Sequence, residues 1–204
     1  MFINNIKKIA IIGHGGFSKE IACNLAKGSY NFFINKKYIN KENKNFVYEL
    51  ENIDINKYKV LIAIGDPKIR KSIVNELPAC TEYYTYIDKY AKILDKENVN
   101  IGKGSIITAG TVITTNIKIG DFTHINLNNT IGHDTIINNY VTTTPGVHIA
   151  GNCNIGNNCY FGSGCIVRNN INICDNVVIG MNGVVSKNIE EEGVYVGVPV
   201  KKLK

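Results

Sequence analysis

The sequence contains no run of about 18 apolar residues and no signal-peptide pattern, so neither a membrane span nor export is expected and the expected compartment is the cytoplasm. It lacks a basic block interleaved with aromatics: 23 Lys and Arg against 17 Asp and Glu give a net charge of +6, but the lysines are scattered. A nucleic-acid partner is therefore unsupported, whereas an excess of cations suits an anionic small ligand such as a phosphorylated cofactor. A glycine-rich turn is present, but the full dinucleotide fingerprint G-x-G-x-x-G is not, because Ser18 stands at its third position. The acid wanted about twenty residues further on is also missing: residues 33–37 read Phe-Ile-Asn-Lys-Lys. NAD is disfavoured on both counts, and a nucleotide diphosphate stays open. Six cysteines without a secretory context do not imply disulfides.

What the sequence does have is a period of six. From Ile101 to Val185 every sixth residue is large and apolar, fifteen positions without a slip, with Thr143 the one exception. Four residues further on runs a ladder of mostly small or β-branched side chains, from Ser105 to Ile189. This period fits neither a helix nor a hairpin meander. It is the hexapeptide signature of a parallel β-helix, in which each short strand points one large residue inward and the chain then turns a corner. Glycine just after the large residue, at 102, 120, 132, 156, 162 and 180, suits a bend that is tight or has positive φ. Three sides close a triangular prism, so fifteen sides predict five coils, preceded by a first, slipped coil over Ile87, Ile93 and Val99. Cys153, Cys159 and Cys165 fall on the small-residue ladder; their even spacing tempts a metal reading, but interior slots point to core filling. No insertion breaks the run, so any site must be built on the prism itself.

The first part of the chain reads as a different fold. Lys8–Ile12 is an apolar run stopping at Gly13-His14-Gly15-Gly16, followed by helical patterning over Phe17–Lys27 with Gly28 as its cap. Strand, glycine-rich turn and helix are how a parallel α/β unit presents backbone N–H groups to a phosphate. Asn31–Ile34 and Lys59–Ile64 read as further strands, Asp66-Pro67 opens a helix to about Leu77, residues 36–58 read as loop, and Tyr83–Ile87 as a last strand. Gly13, Asn35 and Gly65 then share the carboxyl edge of one sheet, where open α/β sheets bind ligands. The expected organisation is a Rossmann-like α/β unit over residues 1–86 and an all-β parallel β-helix over 87–204.

Taken together, Ile12–Phe17, Ala63–Asp66 with Ile69-Arg70, Gly132-His133-Asp134, Ala150–Asn152 and the closing Gly193–Pro199 resemble one group of left-handed β-helix acyltransferases. These are the bacterial nucleotide-sugar N-acetyltransferases and sialic-acid O-acetyltransferases, with the nearest likeness to enzymes that acetylate UDP-4-amino-4,6-dideoxy sugars. The resemblance implies a homotrimer with sites between adjacent prisms, acetyl-CoA as co-substrate, and a nucleotide sugar held by the amino-terminal unit. It implies His133 as general base, Asp134 as the acid that orients it, and a backbone N–H near Gly151 steadying the thioester oxygen. Thr142, Ser163 and Met181 match acetyl-CoA positions, with Thr142 standing where some relatives place a second histidine. Gly15, Gly16, Phe17 and Gly65 match substrate positions. Asn35 and Lys36 stand where UDP-binding relatives carry paired acids, which puts the base in doubt, since a carboxylate accepts the N3–H of uracil and Lys does not.

Plainer readings stand beside these. His133, outward at the third position of its side, is also what a surface histidine on a sheet looks like, and His14 either touches phosphate or merely tolerates its turn. His124 and His148, at the sixth positions of their sides, suit corner or surface roles. A zinc enzyme of the carbonic-anhydrase kind would need three converging histidines, but His124, His133 and His148 are separated by 9 and 15 residues, not by whole coils of 18; no metal site is expected. The alternatives to N-acetyl transfer are sugar O-acetylation of the sialic-acid type and a non-catalytic hexapeptide-repeat binding module.

Overall fold

The computed structural model describes residues 7–203. The chain divides into two compact units: one runs to Gly65 and resumes over Ser72–Tyr84, and the other comprises Asp66–Lys71 and everything from Thr85.

The first unit is a four-stranded, all-parallel sheet. Its elements are β1 (Lys8–Ile12), α1 (Gly16–Ala22), β2 (Tyr30–Ile34), β3 (Val47–Glu49) and β4 (Tyr58–Ile62), with sheet order β3-β2-β1-β4. Both faces of β1 and β4 are buried, as their continuous apolar runs require. Three expectations are corrected here. Helix α1 stops at Ala22, five residues short of the expected end, because Asn24 and Leu25 close tighter bonds back to Ile21 and Ala22; Gly28, at φ +82°, ends the following turn instead of capping the helix. Residues 36–58 are not all loop: β3 pairs with β2 but is three residues long, too short to show any periodicity. The expected strand over Tyr83–Ile87 is two pieces, since Tyr83 bridges to Val60 of the sheet whereas Tyr86–Ile87 opens the prism.

The last helix, α2 (Pro67–Glu76), starts as the sequence predicts: Asp66 Oδ1 accepts from the N–H groups of Lys68 and Ile69 at 2.8 and 3.0 Å.

The second unit is the left-handed parallel β-helix that the repeat predicts. Short strands fall in turn on three faces. The first face begins at Tyr86–Ile87, the second at Lys92–Ile93 and the third at Val99–Ile101. The second face is six strands deep and the third five: the expected first coil adds new sides at Ile87 and Ile93, but Val99 shares one strand with Ile101 instead of forming a side of its own. Every large apolar residue of the period from Ile107 to Val185 is buried, and Thr143 is sealed in with its hydroxyl on the His124 carbonyl. A closing strand, Val200–Lys202, pairs antiparallel with Gly193–Gly197 on the first face. Among the described residues no helix is long and apolar enough to cross a membrane.

Two regularities hold the corners. At every sixth residue from Gly104 to Asn182 the backbone is left-handed, and apart from Phe122 and Tyr140 these residues are Gly, Asn or Asp, the types that tolerate it. The glycines at 102, 120, 132, 156, 162 and 180 are therefore not the positive-φ positions; they are needed because the next coil passes too close for a side chain. The second regularity is a ladder of side-chain bonds to the carbonyl fifteen residues ahead: Ser105, Thr111, Thr123 and Thr135 donate through hydroxyls at 2.8–3.2 Å. Cys153, Cys159 and Cys165 continue it with thiols at 3.3, 3.2 and 3.1 Å. Burial raises all three thiol pKa values, that of Cys159 to about 12. Exposed Cys23 and Cys80 are therefore expected to react rapidly with a disulfide reagent in native buffer, Cys174 more slowly, and the three ladder thiols only after denaturation. A time course of thiol release checks this.

Candidate active site

His133 and Asp134 lie at the corner between the second and third faces. Asp134 occupies one of the left-handed positions (φ 59°), which throws its side chain back beside the preceding residue. Its Oδ2 accepts from His133 Nδ1 at 2.7 Å, and its Oδ1 accepts from the amide of Asn116, one coil below, at 2.5 Å. Both carboxylate oxygens are engaged. Asn116 first, then His133, holds the Asp134 carboxyl below the usual carboxylate range, so it is ionised at neutral pH. An ionised carboxylate only accepts, so the Nδ1 proton points at it and Nε2 carries the lone pair. The imidazole is open to solvent, with a side chain 63% exposed.

The coil above fixes the ring from the other side. Gly151 lies directly against the imidazole: a Cβ built there would come within 2.6 Å of His133 Nε2 and 2.7 Å of Cε1. Among the described residues the Gly151 N–H makes no hydrogen bond, while the neighbouring Asn152 N–H is taken by the His133 carbonyl at 2.7 Å. One corner thus presents a basic nitrogen beside a backbone donor, the pair that acyl transfer to an amine requires. Gly151→Ala is expected to push the exposed ring aside without disturbing the core, lowering kcat by about 10- to 100-fold while the melting temperature stays close to that of the parent chain. Steady-state kinetics and a thermal melt check this together.

The expected acetyl-CoA residues do not gather at that corner. Ser163 and exposed Met181 lie at the corner between the first and second faces, where the Ser163 hydroxyl donates to Thr144 at 3.2 Å. Thr142 is on the first face and buried, and its hydroxyl accepts from Arg70 at 2.9 Å, so its side chain is not presented to a ligand. His124 is also corrected: it lies on a strand of the first face and is buried, neither corner nor surface. The cause is Arg70, which groups with the prism and covers this face, reaching the Phe122 carbonyl at 2.8 Å, the Val141 carbonyl at 3.2 Å and His124 Nδ1 at 3.2 Å. His148 is exposed on the second face beside Thr130, so the three prism histidines occupy three separate places. Among the described residues no cluster of His, Cys, Asp or Glu is arranged to hold a metal ion.

In the first unit, Gly13 and Asn35 directly follow β1 and β2 at the carboxyl edge, and Gly65 lies three residues past β4. Gly13 is at φ +118°, with the Ala63 carbonyl 3.0 Å from where a Cβ would stand, so only glycine fits. Gly15 and Gly16 are exposed and Phe17 half-buried at the start of α1. His14 packs edge-on against Phe32 at 5.0 Å, and burial, with Lys19 adding to it, lowers its pKa. Lys36 is exposed and pairs with Glu49.

A Rossmann-like unit ahead of a left-handed β-helix is the architecture of hexapeptide-repeat nucleotide-sugar acetyltransferases, and the likeness extends along the chain. Residues 8–77 match the sequence model of the PglD N-terminal domain. The chain is 33% identical over 90 residues to the GDP-perosamine N-acetyltransferase of Escherichia coli O157:H7, a match spanning 44% of this chain and 40% of that protein. In structure it is similar to the acetyltransferase domain of PglB from Neisseria gonorrhoeae FA1090, with TM-score 0.86 and 26% identity over 97% of this chain and all of that one. The same domain is known in complex with acetyl coenzyme A (TM-score 0.85, 25% identity, 97% of this chain and 99% of that one). WeeI from Acinetobacter baumannii AYE is similar to the same degree (TM-score 0.86, 27% identity, 97% and 100% coverage).

Proposed function

We propose that this chain is an acetyl-CoA-dependent sugar N-acetyltransferase of the cytoplasm, acting on the 4-amino group of a nucleotide-linked 4-amino-4,6-dideoxy sugar in cell-surface glycan or glycoprotein synthesis. The observation that carries the reading is the solvent-open His133–Asp134 pair lying against Gly151. The acetyl-CoA complex of the Neisseria domain and the GDP-linked amino sugar in the name of the E. coli relative support the choice of donor and acceptor class.

In this mechanism the sugar amine attacks the thioester carbonyl directly. The C–N bond forms as the C–S bond breaks, His133 Nε2 takes the proton lost by the amine, and that proton leaves with the CoA thiol. Asp134 holds the imidazole in the required tautomer and offsets its positive charge once protonated. The Gly151 N–H faces the thioester oxygen as it gains charge. No acyl-enzyme is formed. The separation of the His133 corner from the Ser163 and Met181 corner supports a homotrimer, in which one prism supplies the base and its neighbour the acetyl-CoA contacts.

The test is release of free thiol from acetyl-CoA in the presence of UDP-, dTDP- and GDP-linked 4-amino sugars, with free sialic acid as a parallel acceptor. Turnover with an amino sugar and formation of an amide are expected. Turnover with sialic acid alone would move the reading to O-acetylation, and absence of any acetyl-CoA thermal shift would leave a binding module.

A further inference from the structure

We propose that Glu49, with Lys36 beside it, reads the nucleobase of the substrate and selects guanine. The proposal rests on the nucleotide-sugar reading above and names its base. The residues at the end of β2 do not themselves supply a two-oxygen acceptor for paired base N–H groups. Asn35 caps the short turn Lys36–Tyr38, and its Oδ1 accepts from the Lys37 N–H at 3.2 Å. Lys36 carries donors only.

The acceptor comes from the neighbouring strand. Parallel register places Glu49 directly alongside Ile34, the last residue of β2. Its Oε1 lies 3.3 Å from Lys36 Nζ, and its side chain is 34% exposed. Glu49 begins the turn Leu50–Asn52 without a side-chain capping bond, so the carboxylate is not spent there. The carboxyl edge of the sheet therefore carries an ammonium donor and a carboxylate acceptor side by side.

That order of groups matches one base best. Guanine presents a carbonyl oxygen followed by two N–H donors along its pairing edge, so an ammonium can donate to O6 while both carboxylate oxygens accept from N1–H and the 2-amino group. Uracil offers one N–H between two carbonyls, which would turn the second carboxylate oxygen toward a carbonyl. Adenine sets a bare ring nitrogen where the carboxylate needs a donor.

Isothermal titration of the full chain with GDP, UDP and ADP tests this, using the parent, Glu49→Gln and Lys36→Met, with acetyl-CoA titrated separately. GDP is expected to bind most tightly, and Glu49→Gln to weaken it by about 10- to 100-fold while narrowing the gap to UDP. Lys36→Met should cost GDP less, and acetyl-CoA affinity should be unchanged in both variants. UDP or ADP binding as tightly as GDP, or GDP binding that ignores Glu49→Gln, overturns the proposal and leaves the nucleotide-sugar reading standing. If none of the three diphosphates binds, both fall, and the acetyl-CoA titration reports separately on the acyl-donor half.

Discussion

His133→Ala is expected to reduce kcat by about 10²- to 10⁴-fold with acetyl-CoA affinity largely kept. In the proposed mechanism the imidazole is the base, and among the described residues no other titratable side chain at that corner offers a free acceptor: Asp134 is ionised but bound through both oxygens, to Asn116 and to the ring itself. Asp134→Ala should cost less, because it removes orientation and charge compensation but leaves the base. The pH profile separates the two. Asp134's carboxyl is held below the usual range, so its folded-state contribution is present above the ordinary carboxylate pKa and is lost only as pH falls through the depressed value. A fall in rate above about pH 5 therefore reports a group other than Asp134. Near-normal turnover of His133→Ala at neutral pH would sink the mechanism, whatever the fold.

The second large effect is on stability. Arg70→Ala is expected to destabilise the chain by about 3 kcal/mol or more, seen as a melting temperature lower by roughly 6–12 °C. Burial lowers the Arg70 pKa to about 9, so the group is still a cation at neutral pH, and its fork serves two carbonyls, a hydroxyl and an imidazole. Truncation removes these charge-assisted bonds and leaves a cavity over the first face. Arg70→Met refills the volume but not the bonds, and should fall between the two. A melting temperature within about 2 °C of the parent for Arg70→Ala would show that the guanidinium's desolvation cost cancels what its contacts contribute.

The prism was legible because a period of six constrains every coil in the same way: one inward residue, one small residue and a corner. The corner residues were in view too, as Gly, Asn or Asp at every sixth position from 104, but Phe122 and Tyr140 interrupt that run. Their rings stack at 5.2 Å with a tilt of 14°, so they are accommodated by packing instead of by residue type. What periodicity could not reveal was which outward positions are covered. His124 and Thr142 look like solvent-facing strand residues, yet both are buried and bonded to Arg70, 54 and 72 positions away. Asn116 gives no sequence signal for a related reason: it is an ordinary corner asparagine until the eighteen-residue coil places its amide under Asp134. Glu49 was hidden in a lysine- and asparagine-rich stretch, and its importance appears only once strand pairing sets it beside Ile34.

The reversed strand Val200–Lys202 has a consequence for how molecules of this kind meet. A stack of parallel strands ends in a row of unpaired amides and carbonyls that would accept another molecule's strand as readily as its own. By folding back, this segment occupies that row on one face with a strand running the wrong way for the repeat to continue, and it places Lys201 and Lys202 on the rim. Growth into end-to-end fibres is thereby discouraged by geometry and by charge at once.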